Sequence, residues 1–310
     1  MVEATVSQHG RSPEKIVVTG GGGQLAQAIT HQLLLLGHSV LALDHDQLDI
    51  TNKESIDKSI EKGTFAIINC AAYTNVVSAE THSQQAHLVN GYGVELLASH
   101  AKDIGARFIH FSTDYVFDGE KTSPYDEVDA THPINEYGKS KLSGEQISQK
   151  IMKENLWILR TSWLYGGDTQ HFVRKILEKL SNNQTIEVVT DQIGSPTYVG
   201  DVAEATVALL TSMNPPDPGI YHVSNRGEAS WLELAQKTAE MSGYSANSIA
   251  GIETSSLQSA VKRPRYSVLD STKWVNAGMP AMPLWQSSLK RYLEQNSARE
   301  HTTDEKRVPE

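Results

Sequence analysis

Short apolar runs rich in β-branched residues alternate with segments of helical spacing in the first half of the chain. The runs predict strands at residues 15–19, 39–43, 65–71, 107–112 and 156–160. Between them, apolar positions recur at helical spacing over residues 24–36, 53–61, 79–103 and 136–153. Such alternation is typical of right-handed crossovers that cover both faces of a parallel sheet. We therefore predict an α/β fold with a doubly wound, Rossmann-like parallel sheet.

The second half of the chain has a less regular pattern. It predicts helices near residues 169–181, 200–211, 231–241 and 284–294. We expect a dinucleotide-binding domain at residues 14–165 and a smaller C-terminal substrate-binding domain formed mainly by residues 166–295. The run at residues 219–224 is typical of a strand that returns to the main sheet. The polar segments 1–13 and 296–310 predict disordered tails.

Composition narrows the classes of partner. The chain has 310 residues and a formal charge of −10, and its scattered basic residues give no electrostatic footprint for nucleic acid. No apolar run approaches the about 18 residues of a membrane span, and the first residues lack an apolar signal core. The single Cys70 cannot form an intrachain disulfide. We expect a cytoplasmic protein that binds small molecules, with a homodimer left open.

A glycine-rich turn follows the first predicted strand. Gly20 permits a tight turn, Gly23 lets the backbone approach a pyrophosphate, and Gln24 and Leu25 open the following helix. A helix that starts there points its partial positive end at the anion. Because strand, turn and helix occur in that order, the segment predicts a dinucleotide site.

Acidic residues after the second predicted strand bear on the choice of cofactor. Asp44 ends that strand, where a carboxylate accepts hydrogen bonds from the adenine ribose and disfavours an added 2′-phosphate. By that argument NADH is usable, although a turn-forming aspartate would look the same. Asp49 and Ile50 follow at a distance suited to the adenine edge.

Tyr137 and Lys141 stand four residues apart on a predicted helix. Positions i and i+4 share one helix face, so the ammonium can lie beside the phenol and favour its ionised form. Tyrosine titrates near pH ~10 on its own, so a lysine neighbour would bring it closer to neutrality. The pair predicts acid-base chemistry coupled to a nucleotide cofactor.

The chain resembles the extended short-chain dehydrogenase/reductases and, within them, the dTDP-4-dehydrorhamnose reductase family. The resemblance spans roughly residues 15–290. It rests on the glycine turn, Ala71-Ala72-Tyr73-Thr74, Ser112-Thr113-Asp114-Tyr115-Val116-Phe117, Tyr137-Gly-Lys-Ser-Lys141, Arg160-Thr-Ser-Trp163, Asp191-Gln-Ile-Gly-Ser-Pro-Thr197 and Arg263-Pro264.

The resemblance implies hydride transfer from NADPH or NADH to the C4 ketone of dTDP-4-dehydro-L-rhamnose. It implies that Tyr137 protonates the developing alkoxide, that Lys141 holds the nicotinamide ribose, and that Thr113 hydrogen-bonds the substrate oxygen. A ketone that accepts hydride becomes an oxyanion, so donors and one acid are needed.

The resemblance also assigns binding roles. It implies that Gly23, Gln24 and Leu25 contact the cofactor diphosphate, that Ala72, Tyr73 and Thr74 line the cofactor cleft, that Asp114 and Trp163 contact sugar, and that Arg263 pairs with the substrate diphosphate. Guanidinium matches phosphate oxygens bidentately, and an indole offers a platform for an apolar sugar face.

Several alternatives stay open. Dehydratases of this superfamily place an Asp-Glu pair after the threonine, whereas Asp114 precedes Tyr115, which argues against dehydration. Epimerases use the same Tyr and Lys, and only the whole motif set argues against them. A reductase for another nucleotide-linked 4-keto-6-deoxysugar remains, as does a cofactor-binding regulatory subunit like the β subunit of methionine adenosyltransferase.

The chain departs from the family pattern at three positions. Ala26 replaces a common glycine, Val77 a common aspartate and His171 a common asparagine. We expect the last two near the cleft, where they would affect sugar specificity. Some family members use Mg²⁺ at a subunit contact, but the dispersed histidines give no ligand pattern that requires a metal.

Overall fold

The computed structural model describes residues 14–257, 259 and 261–304, and side chains as far as residue 296. The predicted N-terminal tail and residues 305–310 lie outside these ranges. The strands are β1 Lys15–Thr19, β2 Ser39–Leu43, β3 Thr64–Asn69, β4 Arg107–Thr113, β5 Leu156–Thr161, β6 Leu164–Tyr165, β7 Ile186–Val189, β8 Ile193–Gly194, β9 Thr197–Tyr198, β10 Gly219–His222, β11 Ala229–Ser230 and β12 Ile249–Ile252. The helices are α1 Gln24–Leu35, α2 Lys53–Ser59, α3 Val76–Thr81, α4 Ser83–His87, α5 Gly93–Ile104, α6 Glu136–Ile151, α7 Phe172–Ser181, α8 Val199–Thr211, α9 Trp231–Met241, α10 Thr272–Asn276 and α11 Trp285–Asp304.

The main sheet has six parallel strands in the order β10-β5-β4-β3-β1-β2. Side chains alternate between its faces: Ile16 and Val18 of β1 pack with α1 and α8, whereas Val17 packs with α2 and α5. Both faces are covered by helices, so the strands are mainly apolar, as parallel strands are. The predicted doubly wound α/β fold is confirmed.

The predicted helix over residues 79–103 is divided. It starts earlier, as α3, and His82 separates α3 from α4. A π-helical segment, Leu88–Tyr92, then leads into α5. Asn75 caps α3 because its side chain accepts a hydrogen bond from the Ser78 amide at 2.9 Å. The third strand also ends earlier than predicted, at Asn69.

The second half forms a smaller layer beside the carboxyl ends of the main strands. Helices α7 and α9 pack on the parallel pair β7 and β12 through a core that includes Ile176, Ile186 and Ala235. The two-residue pairs β6 with β9 and β8 with β11 connect this layer to the sheet.

Two elements of the second half pack on the main sheet. Helix α8 packs against α1, and β10 pairs with β5 in the segment where a returning strand is expected. Residues 199–222 therefore lie with the dinucleotide-binding half. Helix α11 extends to Asp304, so residues 296–304 of the predicted C-terminal tail are helical.

Candidate active site

A cleft of about 590 Å³ opens where the strand order reverses between β1 and β3. In doubly wound sheets, ligands bind outside the carboxyl ends of the strands at such a switch point. The residues that line the cleft come from the ends of β1, β3, β4 and β5, from α6 and from the smaller layer. They include Gly23, Gln24, Leu25, Ala72, Thr74, Thr113, Asp114, Tyr137, Lys141 and Trp163 among the predicted site residues.

The glycine turn fits the diphosphate of a dinucleotide. Gly20 has a φ of +67°, and a Cβ there would lie 2.8 Å from the backbone of Ala71, so the turn requires glycine. The amide of Gly23 donates to the Gly20 carbonyl at 2.8 Å, and α1 begins at the next residue. The first turn of α1 has no acidic residue and no side-chain cap, so its amides can receive an anion.

Across the cleft, the residues that follow β3, Ala72 to Thr74, have different contacts. Ala72 and Thr74 line the cleft. Tyr73 does not: its amide donates to the Asn90 side-chain oxygen at 2.8 Å, its carbonyl accepts from the Asn90 amide group at 3.0 Å, and its phenol donates to Ser78. Tyr73 therefore anchors the segment to the π-helical turn.

The three residues predicted to hold the adenine end do not line the cleft. Asp44 is exposed, and its Oδ1 accepts from the amides of Asp46 and Gln47, as a turn aspartate does. Asp49 accepts from Thr51, and Ile50 is buried against Gly93. Their roles in cofactor binding stay predictions.

Helix α6 places Tyr137 in the cleft because its first turn is held by a side-chain cap and by close packing on Tyr115. Asn135 caps the helix by accepting a hydrogen bond from the Gly138 amide at 2.8 Å. A Cβ on Gly138 would lie 2.1 Å from the carbonyl oxygen of Tyr115, so glycine is needed for this approach. The rings of Tyr115 and Tyr137 meet edge to face, with centroids 5.7 Å apart.

The environment of Tyr137 corrects one expectation. Burial raises the pKa of Tyr137 to about 12, although a hydrogen bond from Thr113 opposes the shift. Lys141 donates instead to the Phe111 carbonyl at 2.7 Å, and burial lowers the pKa of its ammonium to about 8. The prediction that Lys141 brings the pKa of Tyr137 closer to neutrality is wrong for this geometry.

Thr113 is the last residue of β4, and it forms a buried polar cluster with Asp114, which follows it. The Thr113 hydroxyl accepts from the Tyr115 amide at 3.1 Å and lies 3.0 Å from Oδ1 of Asp114. Oδ2 of Asp114 accepts from the Ser267 hydroxyl at 2.6 Å. Burial raises the pKa of Asp114 to about 6, and the hydrogen bonds from Ser267 and Thr113 oppose this.

Trp163 closes the cleft on the side of the smaller layer. Its φ is +47°, a conformation uncommon for a bulky residue and frequent at functional sites. Its indole stacks on Trp231 with centroids 3.6 Å apart and planes 3° apart.

The sequence reasoning missed several cleft residues. Ser230 and Glu233 form a capping box that marks the start of α9, but no local signal places Trp231, the next residue, in the cleft. Other lining residues that were missed include Asn69, Cys70, Val76, Phe111, Thr161, Ser162, Leu164, Thr169 and Gln170.

Arg263 lies outside the main cleft, in an adjoining groove of about 340 Å³ that shares Trp231 with it. Its guanidinium donates to Ser259 and also hydrogen-bonds the side chain of Tyr115, which lines the cleft. Lys175 and Lys179 are exposed on α7 and line the same groove. The groove therefore combines cations with an apolar wall.

Neither of the two departures expected to affect specificity lines the cleft. Val77 is 54% exposed. His171 is buried, its Nδ1 accepts from the Arg174 amide at 3.3 Å, and its Nε2 lies 3.1 Å from the Tyr292 hydroxyl. Burial lowers the pKa of His171 to about 4, so the ring is neutral and serves as a helix cap. Both residues lie next to lining residues in the chain, Val76 and Gln170, so they are near the cleft without forming its wall. Their effect on sugar specificity stays a prediction.

Two negative findings hold for the described part of the chain. No group of three or more His, Cys, Asp or Glu side chains is arranged to hold a metal ion among these residues. No helix within them is long and apolar enough to cross a membrane.

The fold and the site together define a short-chain dehydrogenase/reductase: a doubly wound sheet, a glycine turn at its switch point and a Tyr-x-x-x-Lys pair beside the end of β4. Comparison with known proteins narrows the class. The model of the RmlD substrate binding domain family matches residues 14–298, and the chain belongs to that family.

The chain is similar to proteins from several bacteria. It is 39% identical to the spore coat polysaccharide biosynthesis protein SpsK of Bacillus subtilis, over 92% of this chain and 98% of that one. It is 37% identical to a dTDP-4-dehydrorhamnose reductase of Mycolicibacterium smegmatis, over 89% and 84%. The crystal structure of dTDP-4-dehydrorhamnose reductase from Bacillus anthracis with NADP superimposes with a TM-score of 0.87 at 35% identity, covering 92% and 100%.

Proposed function

We propose that this protein reduces the C4 ketone of dTDP-4-dehydro-L-rhamnose to dTDP-L-rhamnose, with NADPH or NADH as the source of hydride. The observation that supports this most strongly is the convergence of Thr113, Tyr137 and Lys141 in one cleft with the glycine turn. The reductase names of relatives that match nearly the whole chain supply the substrate.

Each catalytic role follows from the chemistry of reduction. When hydride reaches C4, the ketone oxygen gains negative charge and needs donors and a proton. Tyr137, whose pKa is about 12, is protonated at neutral pH and is therefore in the correct state to give that proton. Thr113 supplies a second donor. Lys141, with a pKa of about 8, carries a charge at pH 7 that stabilises the site as the phenol loses its proton.

The rest of the substrate would extend from the cleft into the adjoining groove. The indoles of Trp163 and Trp231 stack on each other and both line the cleft, so they place apolar ring atoms beside the deoxysugar. Beyond Trp231, the ammonium groups of Lys175 and Lys179 and the guanidinium of Arg263 suit a diphosphate, and the apolar wall suits a base. The order of these surfaces matches the order of groups in a dTDP-sugar.

The product would serve surface polysaccharide synthesis, in line with the name of the Bacillus subtilis relative. A cytoplasmic location stays a prediction, and the choice between NADPH and NADH and the assembly into a homodimer stay open.

The deciding experiment follows oxidation of NADPH and of NADH, separately, with dTDP-4-dehydro-L-rhamnose generated in situ. The product is identified by mass and NMR. We expect dTDP-L-rhamnose. A different reduced sugar would show that the protein is a reductase for another nucleotide-linked 4-keto-6-deoxysugar. Cofactor that binds but is not oxidised would favour a regulatory binding subunit.

The groove can be tested in the same assay. Lys175→Ala with Lys179→Ala should raise KM for the nucleotide sugar about 10-fold or more, because charge-assisted hydrogen bonds to phosphate are lost. Lys150→Ala, on the last turn of α6, is the matched control. An unchanged KM in the double variant would exclude the groove as the diphosphate site.

A further inference from the structure

We propose that Asp114 is a positioning residue that acts through Thr113: its carboxyl group, tethered by Ser267, decides where the Thr113 hydroxyl donates its proton. The proposal rests on the proposed function, and it replaces the sugar contact that the family resemblance implies for Asp114.

Two acceptors, the Asp114 carboxyl group and the Tyr137 oxygen, compete for the hydrogen bond that the Thr113 hydroxyl can donate. It has a single proton to donate. Oδ1 of Asp114 lies 3.0 Å from the Thr113 oxygen, and the Tyr137 oxygen also receives a hydrogen bond from Thr113. The Tyr115 amide already donates to Thr113 at 3.1 Å, which fixes the position of the oxygen but not the direction of its proton. That direction depends on whether Asp114 is charged.

The two protonation states of Asp114 have opposite effects. An ionised carboxylate can only accept, so it holds the Thr113 proton. A neutral carboxyl can donate to the Thr113 oxygen, which releases the Thr113 proton toward Tyr137 and the substrate oxygen. Because burial brings the pKa of Asp114 to about 6, both states are populated near neutral pH.

Asp114 is also badly placed to bind sugar. Only 2% of its surface is exposed, and both carboxyl oxygens are engaged within the protein, one by Thr113 and one by Ser267. Ser267 is itself buried, and its amide donates to the Ile193 carbonyl of β8. The carboxyl group therefore joins the catalytic end of β4 to the smaller layer.

Among the surrounding titratable groups, Asp114 is the one that changes its charge on the acid side of neutrality. Tyr137 faces it from α6, Tyr115 is the next residue in the chain, and Arg263 lies across Tyr115. Burial raises the pKa of both tyrosines, so they stay protonated. Lys141, lower on α6, titrates near 8, about two units away.

The test is the pH profile of kcat in three variants, together with infrared detection of the protonated Asp114 carboxyl, which needs no turnover. In the native enzyme, kcat should fall as pH rises through the pKa of Asp114. Asp114→Asn is permanently neutral, so it should abolish that fall while its kcat stays within about threefold of the low-pH native value. Ser267→Ala removes a hydrogen bond that favours the charged form, so it should move the fall to higher pH.

Ser224→Ala deletes another buried serine hydroxyl, outside the cleft, and should leave the profile unchanged. A raised KM for the nucleotide sugar in Asp114→Asn, with the pH profile unchanged, would overturn the proposal and restore the sugar contact. A fall that stays in place in Ser267→Ala would also overturn it. If the enzyme reduces no dTDP-linked ketone, the infrared titration still reports whether Ser267 controls the charge of Asp114, so the two failures are distinguishable.

Discussion

The two halves of α6 both contain buried ionisable groups, but burial shifts the pKa of those in the first half, whereas those in the second half form an ion pair. In the first half, Tyr137 and Lys141 are enclosed with few partners, and burial moves the pKa of each group. In the second half, Glu145 accepts two hydrogen bonds from Arg160, from Nε at 2.9 Å and from Nη2 at 2.7 Å, and both side chains are almost fully buried. Lys141 and Glu145 are buried to a similar depth, whereas Tyr137 is partly exposed in the cleft.

The difference lies in pairing. A bidentate carboxylate-guanidinium pair satisfies both charges, so it holds β5 against α6 without leaving a group ready to exchange a proton. Lys141 has a carbonyl rather than a carboxylate within hydrogen-bonding distance, so its charge stays costly and adjustable. On the same helix, the fully paired Glu145 thus stabilises the packing on β5, whereas the incompletely paired Lys141 remains able to change its charge.

Tyr137→Phe gives the largest expected effect on the reactive half. Removing the proton donor should lower kcat by about 10²- to 10⁴-fold while cofactor affinity and the free energy of unfolding stay close to native. Steady-state kinetics and cofactor titration measure this. Tyr92→Phe, at an exposed tyrosine, is the control. Equal activity in Tyr137→Phe would remove the role from Tyr137.

Glu145→Ala gives the largest expected effect on the paired half. It strands a buried guanidinium and should cost about 3 to 5 kcal/mol of unfolding free energy, measured by urea denaturation. Glu54→Ala, at an exposed carboxylate, should change it by less than about 0.5 kcal/mol. Replacing the pair together, as Glu145→Leu with Arg160→Met, should recover much of the loss. A double variant as unstable as Glu145→Ala would show that the unpaired guanidinium is not the main cause of the loss of stability.

Lys141 should make cofactor binding depend on pH. Its pKa of about 8 is lowered from 10.5, so the folded protein loses the ammonium as pH rises through 8. The dissociation constant for NADPH, followed by nicotinamide fluorescence, should therefore rise about tenfold above pH 8, and Lys141→Met should bind weakly without that step. Lys139→Met, at an exposed lysine, should retain it. The same shift makes the folded state gain stability between pH 8 and 10.5, as the cost of the buried charge disappears.

His171→Asn should have the smallest effect. His171 is a buried group with both ring nitrogens engaged, so it resembles the paired half of α6. Asparagine can cap α7 but loses the contact with Tyr292, which should cost about 1 kcal/mol of stability. The KM for the nucleotide sugar should stay within about twofold. A larger change in KM would show that the cap reaches the cleft.

Local patterns predicted the parts of the molecule that local physics controls. The central strands β1, β3, β4 and β5 are buried on both faces, so their sequences are short, mainly apolar runs, and α9 begins at a capping box. The spacing of Tyr137 and Lys141 puts them on one helix face without any tertiary information. The two-residue strands β6, β8, β9 and β11 are too short to show a period.

The rest of the site depends on contacts between distant residues. Ser267 reaches Asp114 across 153 positions, and Trp231 reaches Trp163 across the layer boundary. The π-helical segment within the helix predicted at residues 79–103 likewise contains Asn90, which holds the backbone of Tyr73. The orientation of Lys141 toward Phe111 was also hidden, because spacing gives a shared face but not a hydrogen-bond partner.

Strand β10 is synthesised well after β5, the strand it pairs with, and this delay bears on folding during translation. During synthesis β5 is complete at Thr161, yet the strand that covers its outer edge starts at Gly219. At the usual speed of translation this leaves an unpaired edge for roughly 3 to 12 s. Nascent chains with such an edge can pair with one another. We therefore expect expression yield to depend on chaperones and on codon choice between β5 and β10, and fragments that stop before β10 to aggregate.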